Sequence, residues 1–212
     1  MHRSTEFTFG IPWIMSFFHQ DWTLDASTEA EAVANQFVEE LEPASVLLVR
    51  RDARLLLDNL SSDQIKVLWE GCADGGEYFF RRGRVAEGAE WMRDVIAVCD
   101  TWLSHRSAPT TLTDADAYEG RELADQILAS VQEFRSILAP EVADALGACS
   151  RSCTPDLAFR LLLRALVERS ASRSPGHVSL SEYQYARLNR LGSAFNYGEF
   201  VVSDVRYLVE GG

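Results

Sequence analysis

The stretch Phe17-Phe18-His19-Gln20-Asp21-Trp22 places three aromatic rings and three polar side chains within six residues. The rings carry large apolar surfaces and therefore favour burial. Polar groups that enter a core with them need hydrogen-bond partners, because an unpaired buried polar group is costly. We therefore predict that this stretch is a structural cluster that docks the N-terminal segment against the helices that follow.

Most of the remaining chain has the spacing of amphipathic helices. Apolar residues recur every three or four positions, and the segments begin at Ser, Thr or Pro residues that commonly start helices. The pattern predicts helices over about residues 28–41, 43–60, 63–72, 86–103, 116–138, 140–148, 155–167, 181–195 and 200–209. In the second helix, Arg50, Arg51 and Arg54 are predicted to face away from the core.

Residues 71–84 contain four glycines and are predicted to form a loop. Within this loop, Tyr78-Phe79-Phe80 either dips back into the core or forms an exposed contact patch. The apolar character of the three rings favours the core.

The fold class that this pattern predicts is all-α, with two small helical bundles packed in one chain. Residues 104–115 lose the helical periodicity and collect polar residues around Pro109, which is typical of a linker. The sequence therefore predicts a first helical domain over residues 1–104 and a second over residues 113–212. The four helices predicted for the first domain are enough to enclose one core.

The charge balance is strongly acidic. The chain carries 32 acidic and 20 basic side chains, a net charge of −12, and residues 1–100 hold 18 of the acidic and 9 of the basic ones. Such a surface disfavours nucleic acid and anionic lipid and favours a basic protein partner. The alternative, that the acidic residues only maintain solubility, stays open.

The small number of cysteines and the lack of a signal-peptide or membrane-span pattern favour a compartment in which thiols stay reduced. Cys149 and Cys153 are the closest pair of the four cysteines, and no histidine lies near them, so a zinc site is not expected. Met1–Gly10 lacks the pattern of a signal peptide, and no apolar stretch reaches the ~20 residues that a membrane span needs. We expect a cytoplasmic protein without a cofactor, a metal ion or a membrane segment.

His19 and Asp21 are the first pair to test as a catalytic acid and base. No second carboxylate or nucleophile stands at a suitable spacing from them, so a structural role is favoured. In that role Asp21 is expected to accept backbone N–H groups at the start of the next turn. No nucleophile elbow, phosphate-binding loop or dinucleotide fingerprint is present, so the sequence predicts no catalytic residue.

One five-residue motif also resembles a known family. Phe18-His19-Gln20-Asp21-Trp22, followed by a Ser/Thr-capped acidic helix, resembles the immunity proteins of bacterial contact-dependent growth-inhibition systems, which are polymorphic toxin systems. The resemblance covers residues 11–104, and the second domain is also similar to C-terminal segments of small bacterial immunity proteins. The resemblance implies a cytoplasmic protein that binds and neutralises one cognate toxin domain. It implies no catalytic residue.

Together, the motif and the acidic charge predict an immunity protein that occludes the active site of a basic toxin C-terminal domain, such as a nuclease. The expected partner contacts are Glu39, Glu40 and Glu42 at one helix end and Asp74 and Glu77 in the glycine-rich loop. The predicted structural motif is Phe18, His19, Gln20, Asp21 and Trp22.

Two other functions stay open. One is a non-enzymatic helical scaffold or regulatory module, for example a homodimer. Rescue of cells from a neighbouring toxin gene product distinguishes the immunity protein from this scaffold. The other is a small α-helical hydrolase, which turnover of nucleotides or esters that is lost with His19→Ala would support.

Overall fold

The computed structural model describes residue 3 and residues 5–19, 21–106, 111–171 and 179–209. Over these residues the chain forms eleven α-helices and no β-strand, which confirms the predicted all-α class. The helices are α1 (Ile11–Met15), α2 (Glu29–Gln36), α3 (Pro43–Asn59), α4 (Ser62–Cys72), α5 (Gly76–Arg82), α6 (Gly88–Ser104), α7 (Ala124–Glu133), α8 (Pro140–Ser152), α9 (Pro155–Ala171), α10 (Glu182–Ala194) and α11 (Glu199–Ser203). Short 3-10 segments connect several of them, and Leu180 and Val209 form an isolated parallel bridge.

The starts of the helices follow the local sequence signals. Ser61 and Ser181 each accept a hydrogen bond from the backbone three residues later and complete capping boxes at α4 and α10. Thr28 caps α2 in the same way, and the Thr154 hydroxyl accepts the N–H of Leu157 at the start of α9. Each such cap stabilises its helix by about 1 kcal/mol. Because the capping residues are recognisable in the sequence, they locate these helix starts without the structure.

The first predicted helix, over residues 28–41, is too long. Helix α2 ends at Gln36, where Phe37 leaves the helical region with a ψ of 67°. The Phe37 carbonyl accepts the indole N–H of Trp102 at 2.8 Å, so a contact with α6 stabilises the early end. Glu39 and Glu40 therefore lie in a turn and not on the outer face of a helix.

The glycine-rich segment over residues 71–84 is not the predicted loop throughout. Gly75 adopts the left-handed conformation with a φ of 62° and reverses the chain, and α5 follows at once. Phe79 and Phe80 on α5 are buried, as the core interpretation requires, while Tyr78 is 46 % exposed. The loop prediction was wrong because it relied on the four glycines of this segment, whereas tertiary contacts stabilise a short helix there.

The predicted helix over residues 116–138 is interrupted. Gly120 has a φ of 65°, and 3-10 segments at Arg121–Leu123 and Phe134–Ser136 flank the shorter α7. Further along, α8 extends to Ser152, beyond its predicted end at residue 148. Within the predicted linker, Asp114–Ala117 forms a 3-10 segment, and residues 107–110, including Pro109, lie outside the described residues.

The two predicted domains pack together over one hydrophobic core. Helix α4 of the first contacts α8 and α9 of the second, and the thiol of Cys72 donates to the Leu161 carbonyl at 3.4 Å. Helix α9 is buried from Pro155 through Leu163 and contacts α4, α7 and α8 in this core. The division into residues 1–104 and 113–212 itself stays a prediction.

Within the described ranges, no helix combines the length and the apolar character that a bilayer crossing requires.

Candidate protein-binding surface

Phe18 of the N-terminal motif lies in the core of the first half, and Phe17 and Trp22 are half-buried against that core. The Phe18 ring is buried and makes edge-to-face contacts with the rings of Trp22, Trp69, Phe79 and Trp91 at centroid distances of 5.2–5.6 Å. Such pairs contribute about 0.5–1.5 kcal/mol each beyond their burial. Phe18 therefore joins the N-terminal segment to α4, α5 and α6.

Two polar residues of the motif, His19 and Asp21, do not follow Phe18 into the core. His19 and Asp21 are exposed, and the backbone N–H of Asp21 donates to His19 Nδ1 at 3.3 Å. The Asp21 carboxylate caps no backbone N–H, which corrects the expectation that it would. Gln20 lies outside the described residues.

Three of the predicted contact residues lie together on one turn, which we call the acidic turn (residues 39–42). Glu39 and Glu40 follow α2, and Glu42 is the residue before Pro43 at the start of α3. All three are exposed, and none forms an ion pair within the part of the chain that the structure describes. Leu41 between them packs against the core, so the turn is anchored while its carboxylates face solvent.

The other two predicted contacts belong to a separate segment. Asp74 is half-buried, and its backbone N–H donates to the Met15 carbonyl at 3.0 Å. Glu77 is exposed in the first turn of α5. Among the described residues no hydrogen bond or ion pair links either of them to the acidic turn, so the structure does not join the five into one cluster.

A surface groove runs between α2 and α6 beside the acidic turn. Its volume is about 400 Å³. Its lining residues are mainly small or apolar: Ala30, Ala34, Phe37, Asp94, Ala97, Val98, Thr101, Trp102 and His105. The acidic turn begins two residues after Phe37, so groove and turn form one continuous stretch of chain. Sequence analysis missed the groove because it arises only when two separate helices pack side by side.

Acidic groups surround the N-terminal end of this groove. Burial raises the pKa of the Asp94 carboxyl above its usual value of 3.8, and the nearby carboxylates of Glu90 and Glu29 raise it further. Glu29 itself is buried and accepts the backbone N–H of Arg84 at 2.6 Å. Burial is the main cause of this raised pKa, and the like charges nearby add to it, so a cation that approaches Asp94 would favour its ionised form.

A second cluster, which the sequence did not reveal, lies in the interior. Arg160 on α9 forms a two-pronged ion pair with Asp52 on α3, at 2.7 and 3.1 Å, and also contacts Asp156 at 2.8 Å. Asp156 further accepts Arg3 at 2.7 Å and the Tyr197 hydroxyl at 2.9 Å. These groups are buried. We call Arg3, Asp52, Asp156, Arg160 and Tyr197 the buried charge cluster.

Arg51 completes the buried charge cluster at its edge, against the prediction that it faces away from the core. Its guanidinium contacts Asp156 at 3.1 Å and Asp52 at 3.1 Å, while Arg50 pairs with Asp100 on α6 at 2.5 Å. The available signal was Asp52, a charged residue four positions from both Leu48 and Leu56 on the apolar face of α3.

The carboxylates of the buried charge cluster are paired with arginines, which suits a structural role and not proton transfer. Burial alone raises the pKa of Asp156, but the guanidiniums of Arg160, Arg3 and Arg51 outweigh burial, and the net pKa is lowered. Asp156 therefore stays ionised, and its oxygens are fully engaged. Enclosed, fully paired carboxylates of this kind join elements of the fold and do not act as general bases.

The described residues contain no group of three or more His, Cys, Asp or Glu side chains arranged to hold a metal ion. All four cysteines are buried and free. Burial raises the pKa of Cys72 and of Cys99 to about 12, so both thiols stay protonated at neutral pH. Protonated, enclosed thiols are poor nucleophiles and poor metal ligands.

Comparisons of the chain with protein-family models, with curated proteins and with solved structures found no match.

Proposed function

We propose that this protein is an immunity protein that binds one cognate bacterial toxin domain and neutralises it by covering the toxin's active site. The proposal combines the resemblance of Phe18-His19-Gln20-Asp21-Trp22 to growth-inhibition immunity proteins with the geometry of the acidic turn. It places the protein in the cytoplasm, where the toxin acts.

The observation that carries the proposal is the exposure of Glu39, Glu40 and Glu42 on one anchored turn without an ion-pair partner among the described residues. Elsewhere on the surface, Asp144 pairs with Arg135, whereas the exposed Asp58, Glu141 and Glu182 form no ion pair among the described residues. The acidic turn differs from these single carboxylates because it holds three of them within four residues. Unpaired carboxylates held at fixed spacing are available to cations on another molecule.

The mechanism that follows is occlusion by charge mimicry. A toxin that cleaves nucleic acid needs a basic cleft for the phosphate backbone. Three carboxylates on a fixed turn offer that cleft an alternative set of negative charges. Complementary charge accelerates encounter by roughly 10- to 10³-fold at low ionic strength, which matters when a toxin must be captured quickly.

Co-expression tests the function directly. Cells that carry the toxin domain encoded beside this chain's gene should survive when the wild-type chain is present and die when it is absent. Death in the presence of abundant, folded wild-type chain would reject the immunity function.

Charge reversal tests the surface. The triple variant Glu39→Lys, Glu40→Lys, Glu42→Lys should associate with the toxin domain at least tenfold more slowly, and its association rate should depend less on salt. The matched control reverses three exposed acidic residues elsewhere, Asp58, Glu141 and Glu182. Equal rates for the triple variant and the wild type would remove the acidic turn from the interface. A separate variant, Asp74→Lys with Glu77→Lys, tests the second predicted segment.

A further inference from the structure

The groove between α2 and α6 exists because the facing positions of both helices carry small side chains. Ala30 and Ala34 on α2 and Ala97 on α6 line it, and Ala34 and Ala97 are exposed. Glu29 lies near Asp94 and Phe37 contacts Trp102, so the two helices run in the same direction. Larger side chains at these positions would fill the furrow, which is left open along its length.

Apolar groups form the walls of the groove. Val98, Trp102 and Phe37 contribute to its lining, and the Phe37 ring is fixed from behind by stacking with Trp13 at a centroid distance of 6.1 Å. Val38, the next residue along the chain, is 53 % exposed. When another apolar surface covers an apolar groove bounded by fixed aromatic rings, the burial of both surfaces is favourable.

The dimensions of the groove match a short helix. The lining extends along α6 from Asp94 to His105, the residue that follows the helix, which is about 16 Å at a rise of about 1.5 Å per residue. A partner helix that inserts side chains at positions i, i+3 or i+4, and i+7 uses roughly 10 Å of this length. The volume of about 400 Å³ is also within the usual range for pockets that enclose a ligand, about 300–1,000 Å³.

The charges beside the groove select a basic partner. Among the described residues that line the groove, Asp94 is the one carboxylate, Glu90 lies near Asp94, and the acidic turn follows Phe37 at the other end. The basic groups at the groove are His105 in the lining and the adjacent Arg106, whose guanidinium lies 4.2 Å from the centre of the Trp102 ring. Taken together with Asp94 and Glu90, the carboxylates of the acidic turn outnumber these two basic groups.

We propose that this groove binds an amphipathic α-helix of the partner protein, with the apolar face of that helix in the furrow and Lys or Arg side chains along its edges. The inference rests on the proposed function for the identity of the partner, the toxin domain, and adds the chemistry of the segment that the groove receives. The furrow supplies affinity through apolar burial, and the flanking carboxylates orient the helix.

A second copy of this chain is a less suitable occupant. Each copy has a net charge of −12, and a symmetric contact at the groove brings two acidic turns towards each other. Like charges at an interface oppose association, whereas a basic helix neutralises them.

The test uses a synthetic, fluorescein-labelled helix of about 18 residues, because shorter isolated helices are marginally stable. Its apolar face carries Leu at the spacing given above, and its edges carry Lys. A second peptide replaces every Lys with Glu. In fluorescence anisotropy, the Lys peptide should bind the wild-type chain at least tenfold more tightly than the Glu peptide does. In NMR spectra, the indole N–H resonance of Trp102 should shift when the Lys peptide is added.

The matched variants fill the groove or leave it open. Ala34→Leu with Ala97→Leu introduces large side chains at two exposed lining positions, where leucine preserves helix propensity. Ala129→Leu with Ala186→Leu makes the same change at exposed positions on α7 and α10. Circular dichroism verifies folding of both. The first variant should bind the Lys peptide at least tenfold more weakly than wild type, and the second should bind it equally.

Several results would overturn the inference. They are no binding of the Lys peptide, equal binding of the two peptides, equal binding to the filled groove, or an unmoved Trp102 resonance. A wild-type dimer in sedimentation velocity that the filled groove abolishes assigns the groove to a second copy and also overturns it. Failure of the peptide test with intact co-expression rescue leaves the immunity function standing. Failed rescue with positive peptide binding rejects the immunity function and leaves the helix-binding groove.

Discussion

Asp156 connects more parts of this protein than any other single side chain described above. Its carboxylate accepts hydrogen bonds from Arg3 near the N-terminus, Arg51 on α3, Arg160 on its own helix and Tyr197 after α10. The most distant of these partners in sequence, Arg3, lies 153 positions from Asp156. A small change at this one residue therefore affects four separate elements.

Removing the charge of Asp156 should strongly destabilise the fold. Asp156→Asn keeps the shape of the side chain but leaves Arg160 and Arg3 buried without their full countercharge. Breaking a buried ion pair in this way costs about 3–5 kcal/mol. Urea unfolding of the variant should show a loss of that size. Asp125→Asn, at an exposed position on α7, is the control and should change stability by less than about 0.5 kcal/mol. A loss below 1 kcal/mol for Asp156→Asn would show that the buried charge cluster contributes little.

The lowered pKa of Asp156 also predicts how stability depends on pH. Its folded pKa lies below the unfolded value of about 3.9, so the ionised carboxylate contributes its full stabilisation above about pH 4. This contribution is lost as the pH falls through the folded pKa. The free energy of unfolding of the wild type, measured in urea from pH 6 to pH 2.5, should decline more steeply below pH 4 than that of Asp156→Asn. Parallel curves would contradict the assignment.

At the scale of the element, each helix combines a local start signal with a face that the rest of the molecule covers. Helices α4 and α10 begin at capping boxes that can be recognised in the sequence. Helix α5 has only seven residues and begins after a left-handed glycine, so its stability comes from the burial of Phe79 and Phe80. Isolated helices of this length do not persist in water.

The caps give an element-scale prediction. Ser61→Ala and Ser181→Ala each remove a hydroxyl that accepts a backbone N–H in the first turn, and each should lower the free energy of unfolding by about 1 kcal/mol. Chemical denaturation measures the loss. Ser136→Ala, at an exposed position, is the control and should have little effect. If the control and the cap variants lose the same amount, the capping bonds are not the cause.

At the scale of the whole molecule, the two halves are joined by apolar packing and by charge. Helix α4 lies against α8 and α9, and Asp52 of the first half is paired with Arg160 of the second. Either half alone would expose the apolar faces that these helices bury. It would also retain one member of a buried ion pair without its partner.

Fragments therefore test the predicted division of the chain. Residues 1–106 expressed alone should lack a cooperative unfolding transition and the dispersed NMR spectrum of a packed core. As the control, a protease site inserted within residues 107–110 of the intact chain should give two pieces that stay associated after cleavage. A cooperatively folding 1–106 fragment would instead establish residues 1–104 as an independent domain.

The sequence by itself determined the helical class, most helix starts and the acidic charge balance. It could do so because capping signals, proline positions and apolar spacing act within a few residues of each other. Its errors lay where distant contacts shape the chain, as at the glycine-containing segments before α5 and α7, at the early end of α2 and at Arg51. Only the tertiary structure decided that Asp52, Asp156 and Arg160 meet in the core and that small residues of α2 and α6 leave a groove. Those features depend on which residues come together in space, and no local pattern records the distance between them.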